Sequence, residues 1–199
     1  MNILNQTQWT DRKVKVTQQS VFVNLDNYCD PKRRQDEFLG LLQPKFETII
    51  GIDPGNTNLG ITILQYKTNE TDCFELTFPS ERLAISRVTQ IRLALADLFF
   101  GHYLIDHSFS NKILVSVESS AFSMPFRNTE LAEARITEAM WFVDTFEIPP
   151  ENCRFIPPNT IRKQVFGNGK LRAEDQWPEL KPDAASSLAT AIAGLKMNT

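Results

Sequence analysis

The sequence predicts one α/β domain, built on a mixed five-stranded sheet with flanking helices and preceded by an N-terminal extension. Three observations predict it. Short apolar runs of strand length end at acidic residues, segments with apolar residues at helical spacing separate the later runs, and an alanine-rich helix lies near the end of the sequence. The chain has 199 residues, of which 42% are hydrophobic and 23% charged, so one such domain can bury a full core.

The extension is predicted over residues 1–46 and the domain itself over residues 47–199. Valines flank the polar tetrapeptide Thr17-Gln18-Gln19-Ser20, and this pattern indicates a short hairpin. The basic cluster Lys32-Arg33-Arg34 opens a short helix predicted to end near Leu42. A solvated face is one interpretation of this cluster and phosphate binding is the other. The sequence assigns the extension no role.

The first predicted strand of the domain delivers an acidic side chain to the edge of the sheet. Ile49 to Ile52 form a buried strand, and Asp53 follows at its carboxyl end. Pro54 and Gly55 suit the central positions of a type II turn, in which the glycine takes a positive φ. The chain then returns over Gly60 to Leu64 as an antiparallel neighbour. Taken alone, Asp53 is equally well explained as a turn residue.

The remaining segments supply three further strands and two long helices. Alternating polarity indicates a half-buried strand in an outer position, whereas an apolar run indicates a strand covered on both faces. The predicted strands are Asp72 to Pro79, Ile113 to Val117 and Arg154 to Ile156, and the predicted long helices are Glu81 to Phe100 and Asn128 to Phe146. This order of elements describes an RNase H-like domain.

Two further acids fall where they could join Asp53. Glu118 directly follows an apolar strand, and Asp183 lies in the first turn of the alanine-rich helix. If the strands that end at Asp53 and Glu118 are neighbours, their carboxylates repel each other unless a divalent cation binds between them. Acids from two strands and one helix form the constellation for two-metal phosphodiester hydrolysis. The alternatives are an exposed loop residue at Glu118 and a favourable partner of the helix dipole at Asp183.

Basic residues cluster in a stretch without acids, between Asn152 and Arg172. Gly167 and Gly169 let the backbone approach a phosphate closely, and Lys170 is the predicted phosphate contact or transition-state charge. A solvated helix face followed by a turn is the alternative. The DNA-binding residues predicted here are Arg162, Lys163, Lys170 and Arg172.

The loop after Glu118 contains two candidate stacking residues. Phe122 and Phe126 could stack on unpaired bases, a contact worth about 1–3 kcal/mol per base, with Arg127 beside them. Packing on the following helix is the alternative. On that helix, Trp141 is predicted to lie in the core or at a dimer interface.

Composition and charge exclude several classes of protein. The net charge of −3 excludes a basic coat for nucleic acid, so a DNA surface must be local. Three cysteines without a CxxC pair argue against a disulfide framework or zinc module. No apolar run suits a membrane span, and the first residues lack a secretory signal. These features predict a cytoplasmic protein without a membrane partner or small-molecule cofactor; organellar targeting stays open.

Four elements, in the same order, resemble those of RuvC-type Holliday junction resolvases. They are Gly51-Ile52-Asp53-Pro54-Gly55, the strand ending in Glu118, Pro158 to Lys170, and Pro182-Asp183-Ala184-Ala185; Leu131 to Arg135 is a weaker match. The resemblance runs from about Ile49 to Ile192. It implies a dimeric endonuclease that uses two Mg²⁺ ions, with Mn²⁺ expected to substitute, and cuts four-way DNA junctions symmetrically. It also implies that Asp53, Glu118 and Asp183 are metal ligands.

One departure from the family pattern leaves a second function open. Where the family has a fourth acid, this chain has Ser186, which could ligate a metal weakly or through water. A non-catalytic protein that binds branched DNA is therefore an alternative. The segment Asp53 to Asn58 also resembles a motif of actin-like phosphotransferases, but the chain is too short for their second phosphate-binding domain.

Overall fold

The structure is a computed structural model that describes residues 5–9, 14–39, 45–55, 57–78, 84–101, 111–119 and 129–198. Its strands are β1 (Asn5–Trp9), β2 (Lys15–Phe22), β3 (Thr48–Pro54), β4 (Asn58–Gln65), β5 (Glu70–Thr77), β6 (Ile113–Glu118) and β7 (Cys153–Ile156). Its helices are α1 (Pro31–Phe38), α2 (Ala84–Gly101), α3 (Thr129–Phe146), α4 (Pro158–Phe166), α5 (Ala173–Gln176) and α6 (Pro182–Lys196).

The described strands form one mixed sheet in the order β1-β2-β5-β4-β3-β6-β7. Neighbours from β1 to β3 pair antiparallel, whereas β3, β6 and β7 run parallel to one another. The mixed α/β sheet is confirmed, and β3 to β7 are the five strands that the sequence predicts. The sheet has seven strands rather than five because β1 and β2 of the extension join it.

The predicted hairpin in the extension is wrong in position. β2 continues without a turn through Thr17 to Ser20 and pairs with β5 along its whole length. The predicted outer position of β5 is wrong for the same reason, since β2 and β1 cover its edge. An uncovered edge would expose unpaired backbone groups, which the extension here satisfies. The short helix that follows is present and ends at Phe38.

The turn between β3 and β4 also differs from the type II turn that was predicted. Pairing continues to Pro54 and Leu59, and Gly55 does not take a left-handed φ. Glycine is nevertheless required, because a Cβ at Gly55 would overlap the backbone carbonyl oxygen of Asn58. Among the glycines that the structure describes, Gly167 at the end of α4 has a left-handed backbone.

Each face of the sheet is covered by its own helical layer. One face packs against α2 and α3, where the rings of Phe99, Trp141, Phe142 and Phe146 form an aromatic cluster. Trp141 is buried there, which confirms the core position. The other face packs against α6, with α4 and α5 beside it. None of the helices in the described ranges has the length and apolarity that crossing a bilayer requires.

Helix α6 lies directly on the backbone of the sheet. A Cβ at Gly60 would come within 3.0 Å of the Asp183 carbonyl oxygen, and a Cβ at Gly51 would overlap the carbonyl of Ser187. At the other end of the helix, a Cβ at Gly194 would overlap Ser116. The glycines and small helix residues therefore allow α6 to cross β4, β3 and β6 closely, with its first turn at the carboxyl end of β3.

Candidate active site

The carboxyl ends of β3 and β6 carry the two strand acids. In the parallel register Ile52 lies opposite Val117, the last pair of the ladder, and Asp53 and Glu118 are the next residues of the two strands. In each strand the residue two positions earlier contacts α6. Because alternate side chains share a face, Asp53 and Glu118 both point toward α6.

The third acid, Asp183, lies on the same face. Gly60 pairs with Asp53 across β3 and β4, and the carbonyl of Asp183 occupies the space above Gly60. The first turn of α6 therefore lies over the direct neighbour of Asp53. The acids from β3, β6 and α6 thus share one face at one edge of the sheet.

A pocket of about 350 Å³ opens at this edge. Its polar lining includes Glu118, Arg162, Arg172, Glu174, Asp183 and Ser186. Ser186 lies one turn after Asp183 on α6, in the place where the family pattern has an acid. Asp53 is not part of the described lining, although it lies beside Glu118 in the sheet.

Two of the four predicted basic residues line the pocket. Arg162 reaches it from α4, and Arg172 lies in the segment before α5. The 3.6 Å ion pair between Arg172 and Glu174 is largely exposed, so it constrains the guanidinium only weakly. Lys163 and Lys170 are exposed and lie outside the described lining.

A further acid, Glu75, lies in the same row and was not singled out from the sequence. β5 pairs Glu75 with Gly60, which in turn pairs with Asp53. Burial raises the pKa of the Glu75 carboxyl and the Asp183 carboxylate raises it further, while Lys181, the Asp183 backbone and Lys15 lower it. The alternation of β5 suggested that Glu75 faces solvent, whereas in the structure this side of β5 is covered by α6.

Glu75→Gln is expected to raise the thermal stability of the metal-free protein, and to raise it more at pH 8 than at pH 4. Glu75 has a folded pKa above its ordinary value of 4.5, so the stability of the wild type falls as pH rises through the folded pKa. Glutamine removes that loss. Thermal unfolding of both proteins at the two pH values checks this, with exposed Asp97→Asn as the control; an equal gain at both values would contradict it.

The site residues offer the oxygen donors that a hard divalent cation prefers, but in the described part of the chain they do not form a complete metal site. Asp53, Glu118, Asp183 and Ser186 all offer oxygen, the donor that Mg²⁺ prefers. Across the described part of the chain, however, no three acidic, histidine or cysteine side chains are grouped so that they could hold an ion. The acids share a face, and binding a cation there would have to draw them together.

Three predicted DNA contacts, Phe122, Phe126 and Arg127, lie outside the described residues. For the weaker family match, Leu131 to Arg135, the structure describes the helical backbone of α3 without the side chains. These residues therefore add nothing to the geometry of the site.

No protein-family model matches the chain, and no curated protein matches it. Several solved structures, however, match the chain. A structure of Thermus thermophilus RuvC matches with a TM-score of 0.54 and 17% identity, over 76% of this chain and 95% of that one. T. thermophilus RuvC in complex with a Holliday junction substrate matches with a TM-score of 0.50 and 16% identity, over 76% and 94%. The likeness shows that this chain has the fold of RuvC, an RNase H-like α/β fold, as the order of its elements predicts.

Proposed function

We propose that this protein is a metal-dependent endonuclease that resolves four-way DNA junctions by paired symmetric nicks. It acts as a homodimer in the cytoplasm, where its DNA substrate also lies. The observation that carries the proposal is the placement of Asp53, Glu118 and Asp183 on one face at the sheet edge, beside a pocket lined by Arg162 and Arg172. Similarity to a RuvC structure solved with a Holliday junction supports the choice of substrate.

Each group has a role in the proposed reaction. Asp53, Glu118 and Asp183 would hold Mg²⁺ or Mn²⁺, which supplies an activated water and stabilises the leaving oxygen. Ser186 offers a hydroxyl in the lining of the same pocket. The guanidinium groups of the pocket would contact the backbone phosphates that flank the cut, and the exposed Lys163 and Lys170 would contact phosphates farther along.

The proposal is tested with a synthetic four-way junction and a linear duplex of the same sequence. The expected result is paired nicks at symmetric positions in the junction with Mg²⁺ or Mn²⁺, weak or no cutting of the duplex, and binding without cutting in Ca²⁺. ATP turnover combined with indifference to the junction would contradict the proposal.

A second candidate, a non-catalytic junction-binding protein, is favoured by two observations. Ser186 replaces the fourth acid of the family pattern, and the described acids are not grouped as a finished metal site. The same assay separates the candidates. Tight junction binding without nicks in either Mg²⁺ or Mn²⁺ would support the binding protein and reject the nuclease.

Arg162→Ala and Arg172→Ala are each expected to weaken junction binding and to lower the slope of log affinity against log salt by about one. Each loses one phosphate contact and therefore one set of released counterions. Junction binding in Ca²⁺ is measured at salt concentrations from about 50 to 200 mM, a range over which the loss of a phosphate contact changes the salt dependence measurably. Lys67→Ala is the matched control, since Lys67 is exposed and follows the carboxyl end of β4, whereas the pocket lies at the amino end of that strand. An unchanged slope in both pocket variants would place the DNA elsewhere.

A further inference from the structure

One polar side chain of the extension is buried against the segment that leads into α6. Gln19 lies in the middle of β2, is only 4% exposed, and faces α6. Its amide nitrogen donates to the carbonyl oxygen of Glu179 at 2.8 Å, and its amide oxygen accepts from the backbone N–H of Lys181 at 2.9 Å. The side chain thus clamps the backbone on both sides of Leu180, which is itself buried.

The start of α6 needs such an external partner. A helix leaves its first backbone N–H groups without partners inside the helix. At α6 the N-cap residue, Lys181, provides no side-chain cap, and Pro182 at the first position has no N–H. Gln19 satisfies the Lys181 N–H from another strand, 162 positions away in the sequence.

The clamp acts two residues before Asp183. The first turn of the helix also lies against the sheet at Gly60, through the close contact of the Asp183 carbonyl. Together the two contacts determine where the first turn of α6 lies relative to Asp53. Misplacement of a reacting group by about 1 Å can cost about 10²-fold in rate, so a small shift of this turn has a large effect.

We infer that Gln19 is a positioning residue, which aligns Asp183 with the strand acids by holding the backbone of Glu179 and Lys181. The extension then has a role that its sequence did not reveal: β2 supplies the support for the helix that carries the third acid. The predicted effect on cleavage rests on the proposed nuclease function. The predicted effect on the backbone of residues 179–183 does not.

Gln19→Met tests the inference, because methionine keeps the length of the side chain and removes both hydrogen bonds. Amide exchange at Lys181 and Asp183 is expected to rise about five- to tenfold. The Mg²⁺ concentration for half-maximal cleavage is expected to rise several-fold, with junction binding in Ca²⁺ unchanged. If Gln19 only stabilised the fold, the Gln19→Met molecules that remain folded would need the same Mg²⁺ concentration for cleavage as the wild type.

Gln18→Met is the matched control. Gln18 is the adjacent residue of β2, points to the opposite face of the sheet and donates a hydrogen bond to Asp72 at 3.4 Å. Gln18→Met should therefore change neither the amide exchange of residues 181 and 183 nor the Mg²⁺ requirement. If Gln19→Met does not fold, Gln19→Glu replaces it, since one carboxylate oxygen keeps the acceptor for the Lys181 N–H, while the other repels the Glu179 carbonyl oxygen instead of donating to it. That variant should keep Lys181 protected and still raise the Mg²⁺ requirement.

The two possible failures are distinguishable. If the wild type cuts no junction, the proposed function fails while the exchange measurement still decides whether Gln19 holds the turn. If Gln19→Met behaves like Gln18→Met in exchange and in Mg²⁺ dependence, or if Gln19→Glu has the Mg²⁺ requirement of Gln18→Met, the positioning role is wrong although the nuclease stands.

Discussion

Asp53→Asn is expected to lower the rate of junction cleavage by about 10³-fold or more and to leave junction binding nearly unchanged. A bound metal stabilises the transition state by several kcal/mol, and each 1.36 kcal/mol is about tenfold in rate. Asparagine keeps the shape of the side chain but removes the negative charge that a cation requires. Single-turnover cleavage in Mg²⁺, with binding measured in Ca²⁺, separates chemistry from affinity.

Glu118→Gln and Asp183→Asn are expected to behave in the same way, and pairs of these variants should cost little more than one alone. Groups that hold one metal centre act as a unit, so their effects are not additive. Asp97→Asn on the exposed face of α2 is the control and should cut at the wild-type rate. Additive losses, or full activity in Asp53→Asn, would contradict a shared site.

Gly60→Ala is expected to destabilise the fold by about 3 kcal/mol or more, which lowers the melting temperature by about 6–12 °C for a chain of this length. The added methyl would overlap the Asp183 carbonyl, a backbone atom that cannot rotate away. Relief requires the first turn of α6 to move off the sheet. Cleavage by the fraction that remains folded should fall as well, because the same turn carries Asp183.

Gly169→Ala is the matched control for this variant. A Cβ at Gly169 would lie 3.6 Å from the flexible Lys163 side chain and 3.9 Å from the Asn159 carbonyl oxygen, both ordinary van der Waals contacts. Its melting temperature should stay within about 2 °C of the wild type, as is usual for surface substitutions. Equal melting temperatures for Gly60→Ala and Gly169→Ala would show that α6 is not seated on the sheet as described.

Most of the fold could be predicted from periodicity because its core elements are locally consistent. The apolar runs that end at Asp53 and Glu118 and the helical spacing before Phe146 each describe one element. Their order is enough to predict the mixed sheet of β3 to β7. The resemblance to RuvC adds the expectation that the acids meet, which periodicity alone cannot supply.

The parts that could not be predicted depend on long-range pairing. Thr17 to Ser20 has the polarity of a turn, yet these residues continue β2 because β5 offers an open edge and the segment before α6 offers partners for Gln19. Glu75 looked like a solvent-facing residue for a similar reason. The polar side of β5, on which Glu75 lies, is covered by α6, a helix more than 100 residues later in the sequence.

Diffraction from crystals of the protein soaked in Mn²⁺, recorded where manganese scatters anomalously, shows whether the three acids bind a metal ion together. An anomalous peak is expected at the sheet edge, with oxygen atoms of Asp53, Glu118 and Asp183 as ligands, and it should be lost in Asp53→Asn crystals. Manganese bound elsewhere, or an empty edge with the three carboxylates turned apart at saturating Mn²⁺, would rule out the proposed metal site.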